Sequence, residues 1–534
     1  MKKITIYLLG FIAGIFSGCN SLDLAPIDYY ASGNYWENES QVDAFMNGLH
    51  AEFRDNYNLL YQLGEERGGT QRTTTASQGN SLNEVNPIKI NNFTSASTGI
   101  SNWCGLYDGI LKINTFIINV EEGCEFLDPD TRSYYLGQAY GLRAFYYFLL
   151  YRTYGGLPML LDDRVIQGET DATVFYVPRS TPRQTLDQIK SDVNKSITCF
   201  AERNRPGTRS YWTLGASLAL KSEVYLWSGK VSLDDQTPAP DNTDLIEART
   251  ALDKLLGMAD YRLEKDFSNI FSSDNKGGKE IILAFRFKEG EAENNIQTLY
   301  QINTFVGNAF DINGKKITTD ILDMRVERQQ RHEYLFDFWR SFDAGDTRRD
   351  YTFLAYYKGV LLPPNLLIKS DSGTLMKKYM GKINASDTRI YESDIPVYRY
   401  SNLLLMRAEV ENALGGDPMP YINKVRRRAY GVDIDSPSTF DLSKGTFAEN
   451  ELAILRERDK EFVWEGTRWF DLCRMQDANH EPLVFAPEAS YIRDQMTHAQ
   501  IPVLDKETEK HMLLWPIDVK TLNGNPKLKQ NPGY

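Results

Sequence analysis

The stretch GQAYGLRAFYYFLLYRTYGGLPML, Gly137–Leu160, decides the fold of this 534-residue chain. Its apolar positions, counted from the residue just before it, are Leu136, Tyr140, Ala144, Tyr147 and Tyr151. Spacings of four, four, three and four residues place these side chains on one face of a helix. Gly155, Gly156 and Pro158 follow, and such residues end helices. The stretch therefore predicts a long helix whose apolar face needs neighbouring helices to cover it.

Further helices are predicted on both sides of this stretch. The segment Glu37–Arg54 is one, and Thr181-Pro182 is a fitting cap and first turn for another. Two more apolar stripes have helical spacing: Leu186, Ile189, Val193 and Ile197, and then Ala216, Leu220, Val224 and Trp227. Later, Leu403–Leu414 and Met419–Arg428 flank a short Gly-Gly-Asp-Pro turn. Antiparallel helix pairs of this kind are the unit of tetratricopeptide-type stacking, although no clean 34-residue period is visible in this chain.

Between the helical stretches, long segments lack a periodic apolar pattern. These are Leu63–Gly99, Glu289–Gly314 and Lys358–Asp394. The segment Lys279–Phe287, KEIILAFRF, instead predicts a buried strand. We therefore expect a mainly α fold, in which tetratricopeptide-like helical hairpins form a scaffold and a loop-rich irregular part packs against it. Loops this long in a compact protein are usually functional or disordered.

The N-terminus, MKKITIYLLGFIAGIFSGC, has the pattern of an export signal. Two lysines precede the apolar run Ile4–Phe16, which as a helix would reach only about 20 Å, short of the ~30 Å needed to span a membrane. Phe-Ser-Gly-Cys then resembles a bacterial lipobox, with Phe16 where leucine is more usual. We therefore predict that residues 1–18 are a lipoprotein signal peptide and that Cys19 is lipidated, which tethers the chain to a membrane.

Composition excludes some classes of partner. The net charge is −12 and basic tracts are lacking, so nucleic acid is not expected. The other cysteines are Cys104, Cys124, Cys199 and Cys473. None forms a C-x-x-C pair, so buried free thiols are the first interpretation, and a Cys104–Cys124 disulfide is a second one.

The sequence lacks the standard catalytic and metal-binding motifs. His332-Glu333 starts like a zincin helix, but Phe336 stands where the second histidine would be. There is no G-x-S-x-G, Walker or G-x-G-x-x-G motif. We therefore predict no catalytic residue, no metal site and no cofactor, although a glycosidase carboxylate pair depends on a distance that no sequence reveals.

The densest charge cluster is ELAILRERDKEFVWEGTRWFDLCR, Glu451–Arg474. Glu465 and Arg468 are three residues apart, as are Asp471 and Arg474, so both pairs could bridge on helical turns. We interpret the cluster as a structural ion network, with a catalytic dyad as the alternative, and we place Trp464 in the core beside it.

Aromatic residues outside the periodic stretches are candidates for ligand binding. Tyr300, Phe305 and Phe310 lie where no helical pattern demands burial. Flat aromatic faces can stack on the C–H faces of sugar rings, while arginine and asparagine can bond the hydroxyls. An alternative for each of the three is that it attaches a loop to the core.

Taken in order, these segments resemble the SusD/RagB family of nutrient-binding outer-membrane lipoproteins of Gram-negative bacteria. The similarity runs from the lipobox and SLDLAP, through NYWENESQVDAFMNGLH, WCGLYDGILKIN and Gly137–Leu160, to LLWPIDVKTLNGNPKLKQNPGY at the C-terminus. The resemblance suggests an N-terminal part, residues 19–230, with helical hairpins. A C-terminal part, residues 231–534, would hold the central irregular ligand segment and further hairpins.

The resemblance also implies a function. Such proteins bind an oligosaccharide, or in some members a peptide, without catalysing a reaction. They cover a SusC-type TonB-dependent transporter at the exterior face of the outer membrane and pass the ligand to it. Lipid attachment at Cys19 would then keep the protein beside its transporter.

The starch-binding member of that family uses tryptophans in the loop before its W-x-x-L-Y helix. The corresponding loop here, Glu65–Gly99, has Phe93 but no tryptophan or tyrosine, so starch itself is in doubt. It offers Arg67, Gln71, Arg72 and Asn80 instead. We therefore predict Arg67, Arg72 and Asn80 as ligand-binding residues with Tyr300, Phe305 and Phe310, for a charged or branched glycan. A polar surface loop without a ligand is the alternative.

Three functions remain open at this point. The first is glycan capture with delivery to a transporter, with capture of a peptide as its variant. The second is a surface glycosidase, and the third is a helical adaptor that binds only proteins.

Overall fold

The architecture is a stack of helices with a smaller, strand-containing part on one side. A computed structural model describes residues 35–75, 84–100, 103–162, 171–200, 208–294, 309–318, 320–323, 332–492 and 499–534. In the N-terminal half the helices are α1 Glu39–Asp55, α2 Tyr57–Tyr61, α3 Trp103–Glu122, α4 Pro129–Tyr154, α5 Pro182–Phe200, α6 Leu214–Ser228 and α7 Thr243–Leu256. In the C-terminal half they are α8 Phe336–Arg340, α9 Thr347–Thr352, α10 Tyr400–Ala413, α11 Met419–Ala429, α12 Phe447–Glu461, α13 Arg468–Arg474, α14 Lys506–Glu509 and α15 Val519–Gly524.

Helix α4 is the centre of the scaffold and contains most of the stretch Gly137–Leu160. Asp128 caps its start by accepting from the backbone N–H groups of Asp130 and Thr131, and Gly155, with φ +81°, ends it. Because α4 packs against α3, α5 and α6, its side chains are buried on all sides from Tyr135 to Tyr154. A Cβ at Gly141 would lie 1.9 Å from the indole nitrogen of Trp212, so glycine permits this close approach.

The predicted helical hairpins are present. Thr181 and Gln184 cap α5 reciprocally, and α6 ends at Gly229 after the predicted stripe. Helices α10 and α11 form the pair predicted around the Gly-Gly-Asp-Pro turn and pack against each other. The mainly α prediction is therefore confirmed. The boundary between residues 230 and 231 stays a prediction, and α6 and α7, on its two sides, pack together.

The strands form small antiparallel sheets. They are β1 Thr74–Thr75, β2 Glu84–Val85, β3 Ile281–Phe285, β4 Ala309–Asp311, β5 Phe353–Leu362, β6 Leu366–Met376, β7 Lys382–Ile383, β8 Arg389–Ile390 and β9 Ile395–Arg399. The pairs are β1 with β2, β3 with β9, and β7 with β8, while β4, β5 and β6 form a three-stranded sheet in that order. The buried strand predicted in Lys279–Phe287 is confirmed as β3.

The expectation of irregular structure over Lys358–Asp394 is wrong. A long hairpin, β5–β6, occupies much of this segment, from Phe353↔Met376 at its base to Leu362↔Leu366 at its tip. The base is buried and the outer half is exposed on both faces. Since only half of the hairpin is covered, the sequence lacks the apolar–polar alternation that identifies a half-buried strand.

A buried ion network joins the C-terminal helices to β3 and β9, and we call it the core charge network: Glu280, Arg348, Arg399, Arg428, Glu461 and Glu465. Glu461 accepts from all three guanidinium groups, at 2.9 Å for Arg348 and 2.5 Å for Arg399. Burial alone would raise the pKa of Glu461, but the guanidinium groups hold it well below its usual value.

The predicted ion network is present, but only one of the two ion pairs predicted within it is correct. Asp471 and Arg474 bridge at 2.8 Å as expected. Glu465 instead bonds Arg399 and Lys378, while Arg468 bonds Asp459, because residues 462–467 lie in the turn between α12 and α13. Trp464 is buried as predicted, although it lies in that turn with φ +61°.

Candidate functional site

The two loop-rich segments singled out in the sequence meet at the sheet β4–β5–β6. The chain around Gln71 pairs with Tyr334 as an antiparallel bridge, and the Arg72 N–H donates to the Glu333 carbonyl at 2.9 Å. Strand β4 pairs with β5, with Phe310 opposite Tyr357, and β6 follows on the other side of β5. This sheet therefore carries the segments of Arg72 and of Phe310 together.

Arg72 forms a fork with Asp371 at this place. Its Nη2 lies 2.9 Å from Oδ1 of Asp371 and its Nη1 lies 3.2 Å from Oδ2, a bidentate geometry that fixes the guanidinium plane. Nε lies 3.5 Å from a carboxylate oxygen of Glu333. Burial lowers the pKa of Arg72, but the two carboxylates more than offset this and the pKa is raised. The Arg72 side chain keeps 27% of its surface exposed and that of Asp371 keeps 38%, so the fork is accessible to a ligand.

Glu333 contacts Arg72 from the buried side of this fork. It is buried and accepts from the Tyr356 hydroxyl and the Thr374 N–H, both at 3.0 Å. Burial raises its pKa, and Arg72 opposes the shift. Lys358 lies on the neighbouring strand, and burial lowers its pKa. The negative charges of Glu333 and Asp371 oppose this shift. We call Arg72, Glu333, Lys358 and Asp371 the Arg72 face.

A second group of buried charges lies next to this face in the sequence. Burial raises the pKa of Glu66 and lowers that of Lys89, and the two attract each other. Among the described residues, Oε2 of Glu66 and Nζ of Lys89 have no hydrogen-bond partner. His332 approaches Glu66 to 3.8 Å. Burying polar atoms without hydrogen-bond partners costs free energy, so this group does not stabilise the fold as the core charge network does.

Aromatic rings line the opposite side of the sheet. Side chains alternate along a strand, so Tyr357 points away from its neighbours Tyr356 and Lys358. Its ring lies 5.3 Å from that of Phe336, which lies 5.0 Å from Trp339. The Lys369 ammonium sits 3.5 Å from the centre of the Tyr357 ring. Tyr357 and Trp339 are half-buried, and sequence analysis missed both because Trp339 lies on a short helix and Tyr357 on the hairpin that was expected to be irregular.

Comparisons with known proteins agree with this architecture. The family model described as "SusD family" matches residues 234–534, more than half of the chain. The chain belongs to the SusD family. A second model, described as "Starch-binding associating with outer membrane", matches residues 25–226.

Individual SusD relatives cover almost the full length. A solved SusD superfamily protein from Bacteroides fragilis is 38% identical, with 94% of this chain and 100% of that chain covered and a TM-score of 0.81. NanU of B. fragilis is 29% identical, with 96% and 100% covered and a TM-score of 0.76. SusD-like protein P38 of Formosa agariphila is 25% identical over 100% of this chain and 99% of its own length.

One expected ligand residue of this SusD protein is corrected by its position. Arg67 has no exposed surface, and its guanidinium carbon lies 3.7 Å from the Trp469 ring centre and 5.0 Å from that of Trp515. Its Nε donates to Asn91 at 2.7 Å. Burial lowers its pKa to about 10. The π-helical turn Gln62–Glu66 directs the chain inward at this point, so Arg67 is a core residue rather than a ligand contact.

Phe310 is also corrected. It is 3% exposed and lies in β4, so the alternative that it attaches the segment to the core is the one its position supports. Arg72 alone among the described candidates has partly exposed charge. Asn80, Tyr300, Phe305 and Cys19 lie outside the described residues.

The described residues form neither a metal site nor a membrane-spanning helix. No cluster of three or more histidine, cysteine, aspartate or glutamate side chains there has the geometry to hold a metal ion. Within the same ranges, no helix combines the length and the apolar character that a membrane span requires. Cys104, Cys124, Cys199 and Cys473 are free thiols, so Cys104 and Cys124 are not bridged.

Proposed function

We propose that this protein captures an oligosaccharide at the outer membrane through the Arg72 face and passes it to a SusC-type TonB-dependent transporter. The observation that carries the proposal is the partly exposed Arg72–Asp371 fork at the sheet where the two loop segments meet. A planar guanidinium and a carboxylate held in one plane present fixed donors and acceptors to sugar hydroxyls. The match of residues 25–226 to a model described as "Starch-binding associating with outer membrane" supports this class of ligand.

The proposal includes the tether and the absence of catalysis. Lipid attached at Cys19 holds the protein on the exterior face, where glycans are available before import. Sugar binding without turnover suits this face because both of its carboxylates, Asp371 and Glu333, contact the Arg72 guanidinium, whereas the two carboxyl groups of a glycosidase flank the scissile bond.

Binding to the Arg72 face is tested by titration calorimetry of the protein lacking residues 1–19 against a panel of polysaccharides and oligosaccharides, neutral and acidic. We expect Arg72→Ala to weaken binding at least about tenfold, or about 1.4 kcal/mol, because a charged hydrogen-bond donor is lost. Arg427→Ala is the matched control, since Arg427, on α11, forms a similar fork with Asp441. Equal weakening by both variants, or none by Arg72→Ala, contradicts the proposal.

Three further measurements separate the remaining functions: a reducing-end assay, titration with peptides and mass spectrometry. Release of reducing ends from a polysaccharide by the purified protein would establish a glycosidase. Binding of peptides but of no glycan would establish the peptide-capturing variant. Mass spectrometry of the mature N-terminus, with Cys19→Ala as control, tests the tether: we expect an acylated Cys19 in the membrane fraction and release of the variant from it.

A further inference from the structure

The outer half of the hairpin β5–β6 concentrates exposed apolar side chains in one place. Of the fifteen large apolar side chains that are exposed among the described residues, five lie within nine residues of this hairpin. They are Val360, Leu361, Leu362, Leu366 and Ile368, which are between 43% and 62% exposed. Single exposed apolar residues are normal, whereas a contiguous group of them marks an interaction site. We call residues 359–370 the hairpin tip.

Both faces of the hairpin tip are apolar. Directly opposed residues of an antiparallel pair share a face, as do alternate residues along a strand. Four of the exposed side chains therefore lie together on one face, where Val360 is opposite Ile368 and Leu362 is opposite Leu366. Leu361 and its partner Leu367 lie on the other face. A protein surface covers one face of such a ribbon, whereas lipid surrounds both.

The hairpin tip also carries few groups that resist leaving water. Pro363 and Pro364 in its turn have no N–H, and no acidic residue occurs between positions 359 and 370. In the described part of the chain, neither outer edge of the tip pairs with another strand. Because backbone groups without partners are costly in hydrocarbon, the tip suits shallow contact at the boundary between headgroups and acyl chains.

Lysines lie at the base of the hairpin tip, and we call them the lysine collar. They are Lys315, Lys316, Lys358 and Lys369, of which all but Lys358 are exposed. The bridge between Phe310 and Lys316 and the pairing of Phe310 with Tyr357 place them on one sheet. Together with Arg72 they outnumber the carboxylates of the described residues there, which are those of Asp311, Glu333 and Asp371. The collar is therefore cationic in a chain whose net charge is −12, and it complements an anionic surface.

The size of the hairpin tip and the position of the tether favour a bilayer over a second copy of the chain. A stable protein interface uses about 20–30 residues on each side, more than the tip contains. The chain from Cys19 to Tyr35 spans at most about 55 Å, more than twice the roughly 24 Å radius of gyration of a globular chain of this length. The tether proposed above therefore keeps the body within reach of the membrane.

We propose that the hairpin tip is a second membrane contact, in which its apolar side chains enter an anionic lipid surface and the lysine collar lies among the headgroup phosphates. Leucine and isoleucine beside lysine suit this boundary, because the apolar side chains reach the acyl region while the ammonium groups stay with the phosphates. Asp371 directly follows the tip, so the contact places the Arg72 face next to the bilayer. This last consequence rests on the proposed function.

The test is flotation of the protein lacking residues 1–19 with vesicles of phosphatidylcholine and phosphatidylglycerol in equal parts, and with vesicles of phosphatidylcholine alone. We expect stronger partition into the mixed vesicles. Leu361→Asp combined with Leu366→Asp should lower that partition at least about tenfold, because a carboxylate is costly to bring into lipid. Ile246→Asp combined with Ile501→Asp should leave it unchanged, since these side chains, 41% and 52% exposed, undergo the same change of charge elsewhere.

A second measurement detects insertion itself. Leu366→Trp places an indole on the hairpin tip, and brominated acyl chains in the mixed vesicles should quench its fluorescence beyond the quenching seen for wild type. Ile501→Trp should show no such additional quenching.

Three results would overturn the proposal: no partition of wild type into the mixed vesicles, equal partition of the two double variants, or equal partition of wild type into both kinds of vesicle. Dimers that form without vesicles and that Leu361→Asp with Leu366→Asp removes would assign the tip to a second copy, and would overturn it too. The experiments contain no glycan and no lipid on the protein, so their failure leaves glycan capture and the tether unaffected.

Discussion

Two groups of buried charge in this molecule differ in how well they are neutralised. In the core charge network, Glu461 meets three guanidinium groups and its pKa is far below its usual value. In the group formed by Glu65, Glu66, Lys89 and Glu333, which we call the loop-side cluster, burial raises the pKa of every carboxylate. The core charge network has three arginines for three glutamates, whereas the loop-side cluster has one lysine for three carboxylates. Buried charge therefore stabilises the scaffold at the core charge network and remains sensitive to its surroundings beside the Arg72 face.

The largest expected effect comes from removing the charge of Glu461 in the core charge network. Glu461→Gln leaves three buried guanidinium groups without their shared anion, and we expect it to cost about 3–5 kcal/mol of unfolding free energy. Urea denaturation of the protein lacking residues 1–19 measures this. Asp435→Asn is the control, because the exposed pair Lys424–Asp435 at 3.5 Å should contribute less than about 1 kcal/mol. A loss below about 1 kcal/mol for Glu461→Gln would mean that the network is not a stabilising unit.

A somewhat smaller effect is expected at the junction of the two groups. Trp464 stacks on Tyr61, with ring centres 3.2 Å apart, and the backbone N–H of Trp464 donates to Glu65 at 3.2 Å. The next residue, Glu465, belongs to the core charge network. Trp464→Ala should cost about 3 kcal/mol, at the lower end for tryptophan truncation because some surface is exposed. Trp464→Phe should retain most of the stability, and thermal melting compares the variants. Unchanged melting of Trp464→Ala would refute this placement.

The smallest expected effect is a pH dependence of stability, which arises from Glu65 in the loop-side cluster. Burial raises the pKa of Glu65 from 4.5 to about 7, so between these values the folded state binds more protons than the unfolded state. Its contribution to stability is full below pH 4.5 and is lost as the pH rises through about 7, by up to about 3 kcal/mol. Glu65→Gln should lack this loss.

The measurement for Glu65 is a difference between two proteins at several pH values. His50, whose pKa burial lowers to about 4, acts in the opposite sense, because its buried neutral form loses stability as the pH falls from 6.5 to 4. The wild-type profile therefore mixes both effects, and only the free-energy difference between wild type and Glu65→Gln isolates Glu65. A difference that stays constant from pH 4.5 to 8 would show that Glu65 is ionised throughout.

The sequence predicted the scaffold because helical periodicity is local. The stripe on α4, the caps of α5 and the turn between α10 and α11 all follow from neighbouring residues. The hairpin β5–β6 was missed because its outer half is covered on neither face, so burial imposes no period on VLLPPNLLI. Glu465 and Arg468 were paired wrongly because a spacing of three residues has meaning only inside a helix, and α12 ends before both.

The site was predicted less well, for a physical reason. Arg67 and Arg72 have similar polar neighbours in the sequence, yet one is enclosed by Phe93, Trp469 and Trp515 while the other reaches the surface. Only the tertiary fold distinguishes them.

The contacts of Lys230 and Glu223 have a consequence for how such proteins can diverge. Lys230 bonds Glu409 and Glu451, so its charge is neutralised by side chains that come much later in the chain, and Glu223 accepts from the Tyr398 hydroxyl. Recombination that joined the N-terminal part of one relative to the C-terminal part of another would leave Lys230 or its two glutamates buried without a partner unless both parents carried them. We therefore expect Lys230, Glu409 and Glu451 to change together as such proteins diverge.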